Sequence, residues 1–374
     1  MHLITEGSIK FYASKADDGK ISKELEVFYN PVMKFNRDVS VLLLNALDRK
    51  NLKIADIMAG SGIRSLRFLK ELNQGIIKKI AVNDYDDNFV ATFKKNLSLN
   101  AIDEDTLPLT VASKDANIFL RESRGFDYID IDPFGSPNPF LDAAIDRIAR
   151  KGILAVTATD TAPLCGTYVD ACRRKYWAEP LRNHLMHEIG LRILIRKVQL
   201  VGVQYEKVLM PIYSYAKDHY FRIFFHCEKS KKSCDEIISQ HHYALYCKEC
   251  MTVHPSIPNH GICSSCNKPF IHAGKLWTGR LWDEPLAQAI AKHNVEKSNT
   301  RFLQMIAEES QHQDIGMGFY DIHEIAKRYK LTVPNFSQLM EKIRKKGYPC
   351  TRTIFSEYGI KTAMPLTALI LLMQ

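Results

Sequence analysis

The sequence contains no apolar run long enough to cross a membrane, and it shows no internal repeat or low-complexity segment. The apolar tail, Met364–Met373, has about half the length that a membrane-spanning helix requires. Residues 1–20 lack the apolar stretch of a secretory signal. We therefore expect a cytoplasmic protein without a membrane partner, in which the apolar tail packs on the body as a helix or a strand.

The chain has fewer acidic than basic residues. The chain has 42 Asp and Glu residues against 51 Lys and Arg residues, which gives a formal net charge of +9. This balance suits a polyanionic partner such as a nucleic acid, although many basic proteins bind none. A length of 374 residues predicts two or three domains. The nine cysteines, in a chain without secretory features, favour metal ligands or free thiols over disulfides.

The chain also lacks the third glycine of the dinucleotide-binding pattern Gly-x-Gly-x-x-Gly, because Ser65 occupies that position. The apolar run Lys53–Met58 is followed by Gly60 and Gly62, and then by residues 65–72, whose leucines recur at helical spacing. This order predicts a strand, a glycine turn and a helix, in which the backbone approaches a ligand closely. The missing glycine argues against NAD as that ligand.

Two further strands are predicted to end near acidic residues. Ile80–Asp84 is apolar until its end, and Leu109–Val111 precedes Asp115. At strand ends of a parallel sheet, Asp84 could accept both ribose hydroxyls of an adenosine cofactor, and Asp115 could accept the adenine amine. Each acid alone could instead belong to a surface turn. With a fifth apolar run at 152–157 and helices between the runs, the alternation predicts a doubly wound parallel sheet.

The segment 130–137 carries the strongest chemical signal. The apolar run Phe126–Ile129 leads into it, so Asp132 is expected at the carboxyl end of a buried strand, where ligands bind in open parallel sheets. The carboxylate of Asp132 can accept hydrogen bonds from an exocyclic amine, while the ring of Phe134, after the rigid Pro133, can stack on the base. The alternative interpretation is an Asp-Pro turn with a core Phe.

Taken in order, the glycine turn, the two strand-end acids and the Asp-Pro-aromatic segment resemble the class I S-adenosylmethionine-dependent methyltransferases. The resemblance implies an α/β, Rossmann-like sheet. The later chain agrees with it, because the helical run Ile189–Val198 precedes two β-rich runs, Lys207–Ser214 and His219–Phe225. These two runs would form the antiparallel hairpin at the edge of such a sheet.

More specific motifs resemble the tRNA (guanine-26-N2)-dimethyltransferase family, and its archaeal branch in particular. The likeness covers about residues 3–362 and includes, besides 132–137, the segments 28–33, 36–38, 157–162 and 164–166. It implies that two methyl groups pass in succession from S-adenosylmethionine to N2 of guanosine 26 of tRNA.

The resemblance also implies a role for individual residues. Arg37 and Arg64 would hold the methionine carboxylate of the cofactor. Asp132, with a backbone carbonyl near Pro133, would receive the guanine amine, and Phe134 and Phe28 would stack on the base. The other residues expected to bind the cofactor are Asp56, Gly60, Gly62, Asp84 at the ribose, and Asp115 and Ala116 at the adenine.

Two Cys-x-x-Cys pairs separated by 12 residues lie in the C-terminal third, Cys247 with Cys250 and Cys263 with Cys266. Four thiolates at this spacing predict a closed, structural Zn²⁺ site. A redox-active pair is the alternative, and the presence of two pairs argues against it.

Beyond the cysteines, the helical runs Ile322–Tyr329 and Asn335–Lys345 precede the β-rich run Thr351–Phe355, which is a winged-helix order. We expect a catalytic domain at 1–228 and a tRNA-binding α+β domain at 229–374, acting as a monomer. The second helix ends in basic residues that could contact tRNA phosphates or could simply occupy a solvated helix end: Lys342, Arg344, Lys345 and Lys346.

Two other functions are compatible with the motifs. An adenine-N6 or rRNA guanine-N2 methyltransferase would share the Asp-Pro-Phe chemistry. A zinc-bearing RNA-binding protein with an inactive methyltransferase fold would belong to a different class, and the intact Gly60, Gly62, Asp84, Asp115 and Asp132 argue against it.

Overall fold

The structure of the protein, a computed structural model, describes residues 1–14, 27–104 and 108–374. Residues 2–13 form an antiparallel hairpin that precedes the central sheet in the chain. A one-turn 3-10 helix and a long helix then lead into that sheet. The elements are β1 (His2–Glu6), β2 (Ile9–Ala13), the 3-10 helix (Pro31–Met33) and α1 (Lys34–Leu47).

Strands and helices alternate over the next hundred residues, as the apolar runs predict. These elements are β3 (Leu52–Asp56), α2 (Ile63–Glu71), β4 (Ile77–Asp84), α3 (Phe89–Leu99), β5 (Leu109–Ser113), α4 (Ala116–Arg121), β6 (Phe126–Ile131), α5 (Asn138–Arg147) and β7 (Ile148–Ala158). Three helices and a hairpin follow them: α6 (Thr161–Leu164), α7 (Val169–Tyr176), α8 (Met186–Gln204), β8 (Lys207–Lys217) and β9 (Tyr220–Lys229).

The central sheet has seven strands in the order β5-β4-β3-β6-β7-β9-β8. The first five are mutually parallel, and β9 runs antiparallel to both β7 and β8. This arrangement confirms the predicted doubly wound sheet with an antiparallel edge hairpin. Ile54 and Ala55 point to opposite faces and are both fully buried, as expected for a parallel sheet covered on both sides.

The order of the strands places a crevice above the middle of the sheet. From β3 the chain proceeds outward to β4 and β5, and it then returns to the other side of β3 to form β6. The segments that leave the carboxyl ends of β3 and β6 therefore diverge, and this switch point is where open α/β sheets bind ligands.

The residues after β9 form two smaller three-stranded sheets, β11-β10-β12 and β13-β15-β14. The second sheet and the helices beside it follow the predicted winged-helix order. The sequence did not indicate the two-residue strand β13, which is added to that sheet. The elements are α9 (Lys231–Ser239), β10 (His241–Tyr246), β11 (Val253–Ser256), β12 (Ile271–Trp277), α10 (Glu284–His293), α11 (Lys297–Ser310), a 3-10 helix (Gln313–Ile315), β13 (Tyr320–Asp321), α12 (Ile322–Tyr329), α13 (Phe336–Lys345), β14 (Cys350–Thr353), β15 (Ser356–Thr362) and α14 (Leu366–Met373).

Helix α1 joins the central sheet to the C-terminal elements. Its Phe35 contacts Phe302 of α11 edge to face, with ring centroids 5.4 Å apart. Asp38 accepts a hydrogen bond of 2.9 Å from the Asn299 amide, also on α11. A second junction is ionic, because the buried Lys361 of β15 lies 3.8 Å from the carboxylate of Glu188 on α8. The C-terminal elements are therefore fixed to the sheet at more than one place.

None of the helices in the described ranges has both the length and the apolar character needed to cross a membrane. The apolar tail forms α14, which buries Leu366, Leu369 and Met373. The tail is thus packed on the protein as a helix, one of the two forms expected from the sequence.

A buried ion pair links the middle of the sheet to its antiparallel edge. Arg222 of β9 donates hydrogen bonds of 2.9 and 2.6 Å to the two carboxylate oxygens of Asp130 on β6. Both side chains are fully buried. Tyr128 donates to the same carboxylate at 2.6 Å, and Thr157 of the intervening β7 accepts from Arg222 at 2.9 Å. The pair therefore ties three adjacent strands together through their side chains.

We expect Arg222→Met to lower the free energy of unfolding by about 3–5 kcal/mol, because the Asp130 carboxylate would keep its burial and lose its main cation. Urea denaturation followed by circular dichroism measures this change. The matched control is Arg121→Met, which removes an exposed arginine whose pair with Asp142 lies on the surface, and which should cost less than about 1 kcal/mol. Equal effects of the two substitutions would contradict the assignment.

Candidate active site

A cleft of about 590 Å³ opens at the carboxyl ends of β3, β4 and β6. Most of the residues that line it belong to four segments of the chain, the turns after these three strands and the segment around the first 3-10 helix. The predicted site residues in its lining are Phe28, Arg37, Asp56, Gly60, Arg64, Asp84, Asp115, Ala116, Asp132, Pro133 and Phe134. Gly62 is the one predicted cofactor residue that does not line the cleft.

The two positions in the turn after β3 require glycine for different structural reasons. Gly60 has a φ of +56°, and a Cβ there would lie 3.1 Å from the carbonyl oxygen of Phe28, so a side chain would push away the segment that closes the cleft. Gly62 has a φ of +76°, and a Cβ there would lie 2.2 Å from the ring of Phe93. Gly62 therefore serves the packing of α2 against α3, a role that the sequence analysis did not assign to it, and its contact with a cofactor stays a prediction.

Asp84, at the end of β4, has its carboxylate oriented by the backbone. Its Oδ2 accepts a hydrogen bond of 2.7 Å from the Gly60 N–H, and its Oδ1 accepts one of 3.2 Å from the Asp86 N–H. Each carboxylate oxygen has a further lone pair that can accept a hydrogen bond from a ligand. The predicted ribose acid is thus held at the rim of the cleft as an acceptor.

Asp115 caps helix α4, a role that the sequence analysis did not assign to it. Its Oδ1 accepts hydrogen bonds from the N–H groups of Asn117 at 2.9 Å and Ile118 at 3.1 Å. Within the described part of the chain, Oδ2 has no hydrogen-bond partner. Asp115 can therefore cap the helix and still present one oxygen to an adenine amine.

Two polar groups near the turn after β3 lie deep in the cleft. The hydroxyl of Ser61 is buried and has no hydrogen-bond partner among the described residues, so it is available to a ligand. The Asp56 carboxyl accepts a hydrogen bond of 2.8 Å from Ser65. Burial raises the pKa of Asp56 to about 7, although the nearby Arg64 cation opposes that rise.

Arg37 lines the cleft and is held there by a carboxylate. Its Nε and Nη2 donate to the two carboxylate oxygens of Glu6 at 2.7 and 2.5 Å, and Nη2 also donates to the carbonyl oxygen of Asn30 at 3.0 Å. Both side chains of the pair are buried. Glu6 thus uses two nitrogens of the guanidinium, Nε and Nη2, and Nη1 is the nitrogen left for a ligand, so the binding of the methionine carboxylate by Arg37 stays a prediction.

Arg64 connects the cleft to the buried Asp130–Arg222 pair. Its Nη2 makes a close ion pair with Asp132, and its Nη1 lies 3.4 Å from the Asp130 carboxylate. Nη1 also donates to Asn36 at 3.0 Å and to Ser40 at 2.9 Å, both on α1. The guanidinium thus holds Asp132 in place. If Arg64 also binds the cofactor, its guanidinium must contact the methionine carboxylate and Asp132 at the same time.

The sequence analysis missed most of this network. Asp130 lies two positions before Asp132 in the same segment, and Asn36 and Thr157 lie in segments that were already singled out for their resemblance to a family. The sequence could therefore have indicated these positions as site residues. It could not have indicated which of them pair, because no spacing in the sequence relates Arg222 to Asp130.

The turn after β6 presents its aromatic ring to solvent. Phe134 is 55% exposed, which excludes the core position that the alternative interpretation required. The turn is held by Thr159, whose hydroxyl accepts a hydrogen bond of 2.7 Å from the Gly135 N–H. The Phe134 and Phe28 rings meet edge to face with centroids 4.4 Å apart. Since the two rings touch, a base can stack on Phe134 in this arrangement but cannot lie between the rings.

The sheet order, the glycine turn after β3, the acid at the end of β4 and the Asp-Pro-Phe turn after β6 together define a class I methyltransferase. Comparison with known proteins narrows the class. The family described as N2,N2-dimethylguanosine tRNA methyltransferase matches residues 7–374 of the chain. The chain belongs to this family.

Individual relatives agree with the family match over almost the whole chain. The tRNA (guanine(26)-N(2)/guanine(27)-N(2))-dimethyltransferase of Aquifex aeolicus is 38% identical, with coverage of 97% of this chain and 93% of the relative. The tRNA (guanine(26)-N(2))-dimethyltransferase of Methanosphaera stadtmanae is 34% identical, with coverage of 98% and 95%. The solved structure of Trm1 from Pyrococcus horikoshii with S-adenosyl-L-methionine is 32% identical, covers 100% of both chains and superposes with a TM-score of 0.86.

The four predicted metal ligands lie together in the C-terminal region. The sulfur atoms of Cys247, Cys250, Cys263 and Cys266 all lie within 4.8 Å of one another. The Cys247 and Cys266 sulfurs are 3.4 Å apart, and those of Cys250 and Cys263 are 3.7 Å apart. Four thiolates around a tetrahedral Zn²⁺ at bond lengths of about 2.3 Å would have sulfur separations of about 3.8 Å. The cluster could therefore bind zinc.

The basic residues at the end of α13 are largely occupied by contacts within the protein. Lys342 donates to the carbonyl oxygen of Leu372 at 3.0 Å, and Arg344 donates to that of Cys350 at 3.2 Å. Lys345 pairs with Glu341 at 2.8 Å. All four basic residues are nevertheless exposed, as a solvated helix end requires, and their contact with tRNA phosphates stays a prediction.

We predict that Asp84→Asn weakens the binding of S-adenosylmethionine about 10- to 100-fold, because the amide keeps an acceptor for the Gly60 N–H but loses one for a ribose hydroxyl. Isothermal titration calorimetry measures the dissociation constant. Asp87→Asn is the control, since Asp87 lies on the same loop and does not line the cleft. An unchanged affinity in the Asp84 variant would rule out its assigned role.

We predict that protein purified without a metal-affinity tag contains about one equivalent of Zn²⁺. Cys250→Ser should lose the metal, whereas Cys234→Ser, at a buried thiol of α9 outside the cluster, should retain it. Metal content is measured by inductively coupled plasma mass spectrometry. Less than about half an equivalent in the unaltered protein would count against the site.

Proposed function

We propose that the protein transfers one and then a second methyl group from S-adenosylmethionine to the exocyclic N2 of guanosine 26 in tRNA. The observation that carries the proposal is the Asp132-Pro133-Phe134 turn, which stands at the mouth of the cleft with its carboxylate fixed by Arg64 and its ring exposed. The names of the relatives supply the base and the position on the tRNA.

The chemistry of the cleft suits an adenosine cofactor with a methionine chain. Asp84 offers acceptors for the ribose hydroxyls, Asp115 offers one oxygen to the adenine amine, and the Ser61 hydroxyl has no partner of its own among the described residues. S-adenosylmethionine supplies a methyl group that its sulfonium already activates. The task left to the protein is to align the accepting nitrogen with that methyl group.

Asp132 would orient the guanine amine. Arg64 occupies its Oδ2, so Oδ1 is the oxygen that can accept a hydrogen bond from N2. The N2 lone pair is delocalised into the ring, and a hydrogen bond to a fixed carboxylate increases the electron density on the nitrogen. The same carboxylate stabilises the positive charge that develops during transfer, and it can accept the proton that the amine releases.

The target base must leave the RNA stack to reach this turn, because N2 is hidden inside a helical stem. The exposed Phe134 ring offers a face on which the extruded guanine can stack, which compensates for part of the lost stacking. Transfer of the second methyl requires the monomethylated amine to rotate and bind again at Asp132.

We further propose a division of labour between the two parts of the chain. Residues 1–228 would bind the cofactor and perform the transfer, while residues 229–374, with the cysteine cluster and the winged-helix region, would hold the tRNA. We also propose that the protein acts as a monomer. A cytoplasmic location agrees with tRNA as the substrate.

We expect the protein to convert guanosine to N2,N2-dimethylguanosine in an unmodified tRNA transcript. A transcript with adenosine at position 26 is the control, and it should yield no product at that position. Nucleoside mass spectrometry identifies the product, and digestion with a guanosine-specific ribonuclease locates it.

Methylation at guanosine 27 in addition to guanosine 26 would give the protein the same two target positions as those in the name of its Aquifex aeolicus relative. Methyladenosine as the product, or methylation of rRNA in preference to tRNA, would contradict the proposal.

A further inference from the structure

The surface beside the Asp132 turn is formed by the end of helix α7. The Tyr176 hydroxyl lies 3.0 Å from the Ser136 hydroxyl, and Asn138 donates to the carbonyl oxygen of Lys175 at 2.8 Å. The Lys175 ammonium also pairs with Asp160, which follows β7, at 3.1 Å. These contacts attach the end of α7 directly to the loop that carries Phe134.

This end of the helix is both basic and aromatic. We define the α7 patch as the exposed side chains on α7 and on the segments just before and just after it: Tyr168, Arg174, Lys175, Trp177 and Arg182. Tyr168 is 62% exposed and Trp177 is 53% exposed. Arg182 joins the patch because it packs beside Gly166, two residues before Tyr168.

The positive charge of the patch is not cancelled by its surroundings. The nearby acids are already paired: Asp160 with Lys175, and Asp170 and Glu179 with Arg173. Arg174 and Arg182 have no hydrogen bond or ion pair within the described part of the chain. The patch therefore carries two free guanidinium groups close to the active site, which suits a polyanion.

The exposed indole of Trp177 is held in a fixed position. The Lys197 ammonium lies 3.0 Å from the centre of the ring, and Arg196 donates to the Trp177 carbonyl oxygen at 3.2 Å. Trp177 has a φ of 55°, a conformation that is unfavourable for a bulky residue and that persists where the surroundings enforce it. A large exposed aromatic ring held in place beside a cation is a platform for base stacking.

We propose that the α7 patch binds the tRNA strand adjacent to the target guanosine, with Arg174 and Arg182 on its phosphates and Trp177 against an unstacked base. The inference rests on the proposed function only in that the substrate is tRNA. It assigns contacts with the flanking tRNA strand to the catalytic part of the chain, where the sequence analysis had placed contacts with the target guanine alone.

Tryptophan fluorescence provides a direct test of the contact at Trp177. The chain has three tryptophans, and the other two, Trp277 and Trp282, are 1% and 3% exposed. Acrylamide should therefore quench mainly Trp177 in the free protein, and an unmodified tRNA transcript should protect it. Trp177→Phe should remove the component that responds to tRNA. Equal quenching with and without saturating tRNA would overturn the proposal.

Charge reversal tests the phosphate contact. Arg174→Glu should raise the KM for tRNA about tenfold or more and make its salt dependence shallower by about one unit, with the affinity for S-adenosylmethionine unchanged. Arg124→Glu is the matched control, because Arg124 is an exposed arginine just before β6, at the opposite end of the strand from Asp132. Thermal unfolding establishes that both variants are folded.

The two proposals fail in different ways. If the unaltered protein methylates guanosine 26 while Arg174→Glu and Arg124→Glu have the same KM for tRNA, the α7 patch is wrong and the proposed function stands. If the unaltered protein methylates another RNA, the proposed function fails. In that case, a lack of Trp177 protection by tRNA also contradicts the patch as a tRNA-binding surface.

Discussion

The site depends on one buried ion pair, Asp130 with Arg222, in the middle of the sheet. Two charges that are fully removed from water are costly unless each has a close partner and further hydrogen bonds. Burial by itself raises the pKa of Asp130, but Arg222 and Arg64 outweigh that effect and hold it below its ordinary value. Asp130 is therefore a fixed negative charge beneath the cleft, and it holds Arg64 in the position from which Arg64 reaches Asp132.

The two arginines that were expected to bind the cofactor each form an ion pair with a carboxylate. Arg37 pairs with Glu6 of the N-terminal hairpin, and Arg64 pairs with Asp132 at the cleft. Both act first as structural cations that fix carboxylates. The hairpin and α1 thereby become parts of the site, although neither belongs to the central sheet. The ring of Phe134 at the mouth, in contrast, is exposed and free to meet a base.

The sequence predicted the sheet well because its signals are local. Each apolar run gave a strand, and the glycine turn, the strand-end acid Asp84 and the Asp132 turn were placed at strand ends whose convergence follows from a parallel sheet. The paired Cys-x-x-Cys motifs also came together as expected. Local spacing could not reveal pairs distant in the chain, such as Arg222 with Asp130 or Arg37 with Glu6. It also could not reveal that Gly62 serves packing, because only the fold brings Phe93 to it.

The measurement that tests the account most directly is single-turnover methyl transfer by Asp132→Asn at saturating cofactor, with cofactor affinity measured in parallel. Asp127→Asn is its control, since Asp127 lies near the start of the same strand and accepts from the Lys53 N–H. The account predicts that the Asp132 variant binds S-adenosylmethionine normally and transfers methyl about 100-fold more slowly or worse, because the amide cannot stabilise the charge that develops on the amine. A near-normal rate at saturating cofactor, with the loss confined to cofactor binding, would contradict it.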